Sequence, residues 1–224
     1  MGSKKQAKNR LYLSSPHMSG KEIVFIQKSF IENWIAPLGP NVDGFEGDLE
    51  KYCHVNHAAA LSAGTAAIHL ALIMLHTQPG DYVICQSFTF SASANPVAYM
   101  KALPVFVDSE KETWNMDPAL LNKAIKKCMA GTLPSHDGKS TYPAGKPRAI
   151  IPVHLYGMPA KMEEIRSIAR EYDIPVIEDA AEAMGSRYDN RPAGSLGDMG
   201  ALSFNGNKII PTSRGGALLS NNET

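Results

Sequence analysis

Residues 58–72 read AAALSAGTAAIHLAL, and this stretch decides the fold. Its first four residues form an apolar run typical of a buried strand, and Gly64 opens a segment with helical spacing of apolar residues. A helix that begins directly after a strand presents free backbone N–H groups and its positive dipole end, where phosphate can bind. The alternative is a glycine turn capped by Ser62 or Thr65 without a ligand. His69, inside this helix, is expected to pack or to lie at an interface.

Short apolar runs continue along the chain and mostly alternate with helical segments. The predicted strands are 58–61, 82–85, 104–107, 149–153, 175–177 and 201–204. This alternation is typical of a mostly parallel sheet covered by helices. We therefore expect an α/β fold.

Other segments of the chain carry clear helix and loop signals. Residues 19–35 have the spacing of an amphipathic helix that Pro37 stops, and residues 42–52 predict a second, short helix. Asp117 followed by Pro118 marks a helix start. Residues 131–147 are rich in Gly and Pro and predict a surface loop.

The composition excludes several classes of protein. The 224 residues carry 22 Lys plus Arg and 22 Asp plus Glu, so no net charge attracts nucleic acid or anionic lipid. The three cysteines form no disulfide framework, and no signal peptide is evident, so we expect a reducing compartment, the cytoplasm. The apolar stretch 58–75 is long enough to cross a thin bilayer, but it is rich in Ala and interrupted by polar residues, so no membrane partner is expected.

Two carboxylates, Glu178 and Asp179, follow the predicted strand 175–177. A carboxylate at the end of a buried strand costs free energy unless it faces a cation, a metal or a protonated base. The alternative is that Asp179 caps a following helix and that Glu182 is its capping-box partner.

Two further residues follow apolar runs at the same edge of the predicted sheet. Lys208 lies just after the strand 201–204, where a partly desolvated lysine can act as an amine nucleophile. The alternative is a solvated loop lysine. Phe88 could stack on a planar ligand, or it could simply belong to the core.

Competing motifs are incomplete. The segment 138–140, GKS, lacks the upstream glycine and the strand of a P-loop, and neither GxGxxG nor GxSxG occurs. Cys53 with His54 and His57 lacks further ligands, so no metal site is expected.

A phosphate cradle, an aromatic residue, a strand-end aspartate and a late lysine, in that order, resemble the pyridoxal phosphate enzymes of the aspartate aminotransferase superfamily. The closer resemblance is to the DegT/DnrJ/EryC1/StrS family of nucleotide-sugar aminotransferases, and it runs from about Leu11 to the end. The motifs that carry it are NWIAPLGP (33–40), FE (45–46), SAGTAAIHLAL (62–72), FTF (88–90), VHLYG (153–157), IEDAAEA (177–183) and SFNGNK (203–208).

The resemblance implies pyridoxal 5'-phosphate as cofactor and a role for each matching residue. Lys208 would form a Schiff base with the cofactor and later carry the proton, and Asp179 would pair with the protonated ring nitrogen. The other implied cofactor-binding residues are Gly64, Thr65, Ala66 and Ser203 at the phosphate, Phe88 stacked on the ring, and Glu182 near the ring hydroxyl, where many relatives have Gln.

The family reaction converts a keto group on a nucleotide-linked 4-keto-6-deoxy sugar to an amine, with glutamate as the usual donor, in amino-sugar and polysaccharide biosynthesis. The resemblance also implies a homodimer. A dehydratase subgroup has histidine in place of the lysine, so Lys208 favours the transaminases. Another pyridoxal phosphate reaction, such as a lyase, is the alternative within the superfamily.

The sequence departs from the family pattern after the lysine. Residues 209–216 read IIPTSRGG, where relatives have a glycine-rich run, so Arg214 is expected to be strained if its position needs a positive φ. Pro211 removes a backbone donor. Residues 1–18 are expected to be a basic lead-in and residues 19–224 the cofactor-binding large domain, with the C-terminal small domain absent. A truncated, non-catalytic remnant is therefore the alternative function.

Overall fold

The computed structural model describes residues 17–34, 36 and 38–222. The chain divides into two compact units, one up to Asn41 and one from Val42 onward. The first unit contains helix α1, Glu22–Ile31, and the second contains every strand of the described residues.

Helix α1 is shorter than the predicted helix 19–35. It begins at Glu22, whose carboxylate accepts hydrogen bonds from the backbone N–H groups of Ser19 (2.9 Å) and Gly20 (2.8 Å). Asn33 has a left-handed φ of 55°, a conformation that does not continue a helix. The prediction was therefore right about the helix and wrong about both of its ends, while Pro37 lies outside the described residues.

The second unit contains both strands and helices. The strands are β1 His57–Leu61, β2 Tyr82–Gln86, β3 Leu103–Val107, β4 Ala149–Ile151, β5 Ile177–Asp179, β6 Arg187–Tyr188, β7 Arg191–Pro192, β8 Met199–Ser203 and β9 Gly216–Ser220. The helices that follow α1 are α2 Pro40–Cys53, which begins at the end of the first unit, and α3 Gly64–Met74, α4 Asn95–Tyr99, α5 Pro118–Ala130 and α6 Met162–Glu171.

Most strands run parallel, as predicted. Strands β3, β2 and β4 pair in parallel, and β5 pairs in parallel with β8. Parallel bridges from Ile150 to Val176 and from Val153 to Asp179 join the two groups. Strand β9, which the sequence did not reveal, is antiparallel to both of its neighbours, β1 and β8. The α/β fold with a mostly parallel sheet is therefore confirmed.

Helices cover both faces of the sheet. Side chains alternate between the faces along each strand, so Val83 and Cys85 pack toward α3 while Ile84 packs toward α5 and α6. At the other end of the sheet, Leu202 and Leu219 pack against the buried part of α2. Ligand sites in such three-layer folds lie at the carboxyl ends of the strands.

The predicted start of α5 is confirmed in detail. The Asp117 side chain accepts hydrogen bonds from the N–H groups of Ala119 (2.7 Å) and Leu120 (3.2 Å). Gly131 ends the helix with a left-handed φ of 63°. The predicted loop 131–147 contains neither a helix nor a regular strand.

The apolar stretch 58–75 forms β1 and α3. Among the described residues, no helix is long and apolar enough to cross a membrane. Cys53, Cys85 and Cys128 are free, buried thiols.

Candidate functional site

A cavity of about 440 Å³ lies where β1, β5 and β8 end. It collects six of the eight cofactor-binding residues that the resemblance implies, although these lie far apart along the chain. They are Gly64, Thr65, Asp179, Glu182, Ser203 and Lys208. Ala66 and Phe88 are not among the residues that line it.

One end of the cavity is formed by the N-terminus of α3. Ala63 precedes the helix in an extended conformation, and no side chain caps the first turn, so the alternative of a Ser- or Thr-capped turn is wrong. A Cβ atom on Gly64 would lie 3.0 Å from the Ser203 Cβ and 3.2 Å from the Leu202 carbonyl oxygen. Glycine therefore lets the helix end approach β8 closely, which places uncapped N–H donors beside the Ser203 hydroxyl. Ala66 differs, because its N–H already donates to the Ala63 carbonyl (3.0 Å).

The segment before β9 closes this end of the cavity. Gly215 donates a hydrogen bond from its N–H to the Ser62 carbonyl (3.0 Å), and Arg214 lines the cavity. The positive φ angles fall on Ser213 (65°) and Gly215 (131°) and not on Arg214. The strain expected at Arg214 is therefore absent, and this residue instead adds a cation at the cavity wall.

Asp179 is a buried carboxylate in the cavity wall. It points to the same face as Ile177, toward α3, and its Oδ2 accepts a hydrogen bond from the Ser93 hydroxyl (2.6 Å). Its Oδ1 accepts from the Ala181 N–H (3.2 Å). Burial raises the pKa of Asp179, and the hydrogen bonds and the charge of Lys208 oppose this only in part. A turn and no helix follows, so the alternative of a helix cap is wrong.

Glu178 faces the opposite side of β5 and does not line the cavity. Its Oε2 lies 2.8 Å from His154 Nε2 and accepts from the Gly194 N–H (2.9 Å), and both groups of this pair are fully buried. His154 Nδ1 accepts from the Ala160 N–H (3.1 Å), so the ring proton is on Nε2 and is donated to Glu178. Glu178 thus links β5 to the two segments that contain His154 and Gly194. We therefore assign Glu178 a structural role.

Lys208 is partly desolvated and paired. Its side chain is 13 % exposed, and Nζ lies 3.2 Å from Glu182 Oε1. The other oxygen of Glu182 accepts a hydrogen bond from the Tyr156 N–H (3.0 Å). Tyr156 itself has a left-handed φ of 51°. The solvated-lysine alternative is therefore wrong, and Glu182 serves as the ionic partner of the amine.

The structure separates the two phenylalanines of the FTF motif. Phe90 lines the cavity. Phe88 instead lies beside Trp114, with ring centroids 6.0 Å apart. The segment between β2 and the short 3-10 helix 91–93 is bent, so the alternation of a strand does not apply to it.

The cavity has the chemistry needed for a phosphorylated pyridine aldehyde. Uncapped helical N–H groups and Ser203 suit a phosphate. A buried carboxylate, Asp179, suits a protonated ring nitrogen. The desolvated amine of Lys208 suits an aldehyde. The residues present therefore fit pyridoxal phosphate.

Three residues at or behind the cavity wall were not predicted to have a role in the site. Ser93 and Phe90 follow the predicted strand 82–85 within eight residues, so a search of the whole strand-end segment would have included them. Arg214 was noted only as a departure from a family pattern. Its place at the cavity depends on the antiparallel β9, which no periodicity signalled.

Comparison with known proteins identifies the family of the chain. The family model of the DegT/DnrJ/EryC1/StrS aminotransferase family matches residues 16–224. The protein described as "Putative pyridoxal phosphate-dependent aminotransferase EpsN" of Bacillus subtilis is 52 % identical over 96 % of this chain and 52 % of its own length. GDP-perosamine synthase of Caulobacter vibrioides is 39 % identical over 96 % of this chain and 53 % of its own length.

A solved structure shows the same arrangement of the chain. The "Putative sugar aminotransferase Spr1654" of Streptococcus pneumoniae, in its PLP-form, superposes with a TM-score of 0.82 at 28 % identity. The match covers 95 % of this chain and 53 % of that one. The chain thus spans about half the length of the relatives it matches. By the match of nearly its whole length to the family model, the chain belongs to the DegT/DnrJ/EryC1/StrS aminotransferase family.

Proposed function

We propose that this chain is the cofactor-binding part of a pyridoxal phosphate-dependent sugar aminotransferase. The observation that carries the proposal is the meeting of Lys208, Asp179 and the uncapped N-terminus of α3 at one cavity. Each of the three groups matches a different part of the cofactor. Their joint presence is not required for packing, since a buried carboxylate and a desolvated lysine both cost stability.

The bound cofactor would supply a ring that accepts the electron pair left behind when a proton leaves the amino-bearing carbon. Lys208 would hold the cofactor covalently through Nζ and, once released, carry that proton. Asp179 would accept a hydrogen bond from the ring nitrogen and stabilise its positive charge. Glu182 would hold the Lys208 ammonium through Oε1, as it does in the structure (3.2 Å).

The phosphate would be held at the end of the cavity formed by α3 and β8. The N–H groups of Gly64 and Thr65 and the Ser203 hydroxyl are the donors, and Arg214 adds a positive charge. Phe90 would contact the ring from the cavity wall. Phe88, the residue expected to stack, lies outside the lining and is not assigned this role.

The substrate that we propose is a nucleotide-linked 4-keto-6-deoxy sugar, with glutamate as amino donor. Support comes from relatives that are themselves named for amino-sugar chemistry, GDP-perosamine synthase and dTDP-3-amino-3,4,6-trideoxy-alpha-D-glucose transaminase. We further propose that residues 19–224 act as the cofactor-binding large domain, that the protein works as a homodimer, and that it works in the cytoplasm, as its free thiols suggest.

The test is the donor half of the reaction. The chain is loaded with pyridoxal phosphate, freed of excess cofactor and mixed with L-glutamate, and 2-oxoglutarate is measured. We expect up to one equivalent of 2-oxoglutarate per bound cofactor, and amination of a nucleotide 4-keto-6-deoxy sugar when one is then added.

Lys208→Ala is the negative control, and Lys126→Ala, an exposed lysine on α5, is the matched control. Loss of 2-oxoglutarate formation in Lys208→Ala alone supports the proposal. A loaded, folded chain that forms none would contradict it and favour the non-catalytic remnant.

A further inference from the structure

The Asp179 carboxylate is held by a hydroxyl that lies 86 residues away in the sequence. Ser93 is the last residue of the 3-10 helix Ser91–Ser93 and is fully buried. Its Oγ lies 2.6 Å from Asp179 Oδ2. An ionised carboxylate only accepts hydrogen bonds, so the Ser93 O–H is the donor.

The Ser93 hydroxyl is in turn in contact with a second hydroxyl, that of Thr89. Thr89 Oγ1 lies 2.7 Å from Ser93 Oγ, and Thr89 also lines the cavity. The Ser93 hydroxyl has one proton, so it donates to one acceptor at a time. The short contact to a buried carboxylate is stronger than its alternative contact, 3.3 Å to the Phe90 carbonyl. The direction is therefore fixed: Thr89 donates to Ser93, and Ser93 donates to Asp179, a chain in which each bond strengthens the next.

Asp179 needs this support because it is buried. Burial raises the pKa of the carboxyl group, and among the contributions that lower it again the Ser93 hydrogen bond is the largest. The Ala181 N–H and the charge of Lys208 contribute less. The Cys85 thiol also lies near Asp179 and is neutral, since its pKa is raised to about 12 by burial and by that carboxylate.

We propose that Ser93, with Thr89 behind it, is a positioning residue that keeps the Asp179 carboxylate ionised and aimed into the cavity, and so keeps the cofactor's ring nitrogen protonated. The inference rests on the proposed function, because it needs pyridoxal phosphate in the cavity. It goes further by assigning control of the ring nitrogen to two hydroxyls, Ser93 and Thr89, that are not among the cofactor-binding residues implied by the family resemblance.

The test measures the ring nitrogen directly. The full chain is loaded with pyridoxal phosphate carrying ¹⁵N in the ring, and the ¹⁵N chemical shift is followed against pH. Ser93→Ala is expected to lower the pH at which the ring nitrogen loses its proton by about one unit, which is a tenfold change in the protonation constant. Ser93→Thr keeps the hydroxyl and is expected to restore the native titration.

Ser91→Ala is the matched control, because Ser91 is exposed on the same 3-10 helix. Thr89→Val removes only the outer hydroxyl, and we expect a smaller shift in the same direction. It also serves as the test if Ser93→Ala does not fold. A titration of Ser93→Ala or, in its place, Thr89→Val that matches the native protein would overturn the inference.

The two proposals fail in different ways. If the native chain does not attach pyridoxal phosphate at Lys208, the proposed function fails and the inference falls with it. If the native chain loads and the hydroxyl variants leave the ring nitrogen unchanged, only the inference fails.

Discussion

Gly216, the first residue of β9, lies against the start of α3. Replacing it with alanine tests whether the N-terminus of α3 binds the cofactor phosphate. A Cβ atom there would lie 2.2 Å from the Ala63 carbonyl carbon and 2.4 Å from the Gly64 nitrogen. Ordinary van der Waals contact begins at 3.4 Å, so the backbone of β9 or of the helix start must move by about 1 Å. These atoms are backbone, which cannot rotate away as a flexible side chain can.

Two losses are expected in Gly216→Ala. Overpacking of this kind costs about 1–3 kcal/mol, which for a chain of this length lowers Tm by roughly 2–12 °C. The moved Gly64 N–H also loses a charge-assisted hydrogen bond to the phosphate, so the affinity for pyridoxal phosphate falls roughly 10- to 100-fold. Thermal unfolding without cofactor measures the first loss, and absorbance titration with pyridoxal phosphate measures the second.

Gly206→Ala is the matched control, because a Cβ atom at Gly206 would meet nothing within 4 Å. We expect its Tm and its cofactor affinity to stay close to the native values. Gly216→Ala with native Tm would refute the packing argument. A lower Tm with unchanged affinity would refute the assignment of this helix end to the phosphate.

The remaining predictions concern residues in the cavity wall. Burial raises the pKa of Asp179 above its value in the unfolded chain. The cofactor-free protein therefore loses stability as pH rises from the unfolded-state pKa of this group toward its folded-state pKa. Asp179→Asn should therefore raise Tm near pH 7 by a few degrees, about 1 kcal/mol, and flatten the fall of Tm as pH rises above the ordinary pKa of an aspartate; an unchanged melting profile would show that the carboxylate carries no such cost. Arg214→Gly should weaken pyridoxal phosphate about tenfold and leave pyridoxal, which lacks the phosphate, unaffected; equal losses for both ligands would place Arg214 elsewhere. Phe90→Ala should weaken cofactor binding about tenfold in the same titration while Phe88→Ala should not, and the reverse result would restore the original expectation for Phe88.

The sequence was sufficient to predict the strands of the parallel part of the sheet. Each predicted strand matches an observed one within a few residues, because each contains an apolar run of its own. Strand β9, GALLS, is also apolar and is buried along its whole length. It is short, begins with glycine and pairs with β1 more than 150 residues earlier, so its identity depends on contacts that no local pattern contains.

The candidate site was predicted in its components but not in its geometry. Alternation along β5 requires Glu178 and Asp179 to face opposite sides, but the sequence does not say which side holds the cavity. The packing of Ile177 toward α3 settles this and places Asp179 in the wall. In the FTF motif the chain bends, so spacing could not decide between Phe88 and Phe90. Ser93 was missed because its role depends on a contact across 86 residues.

The proposed function depends above all on Lys208, which would hold the cofactor. The most direct measurement is borohydride reduction of the folded chain after addition of pyridoxal phosphate, followed by peptide mapping of the labelled lysine. We expect a single dominant label on Lys208 that is lost in Lys208→Ala. A folded chain that takes up no label, or carries it equally on its exposed lysines, would contradict the role proposed for Lys208.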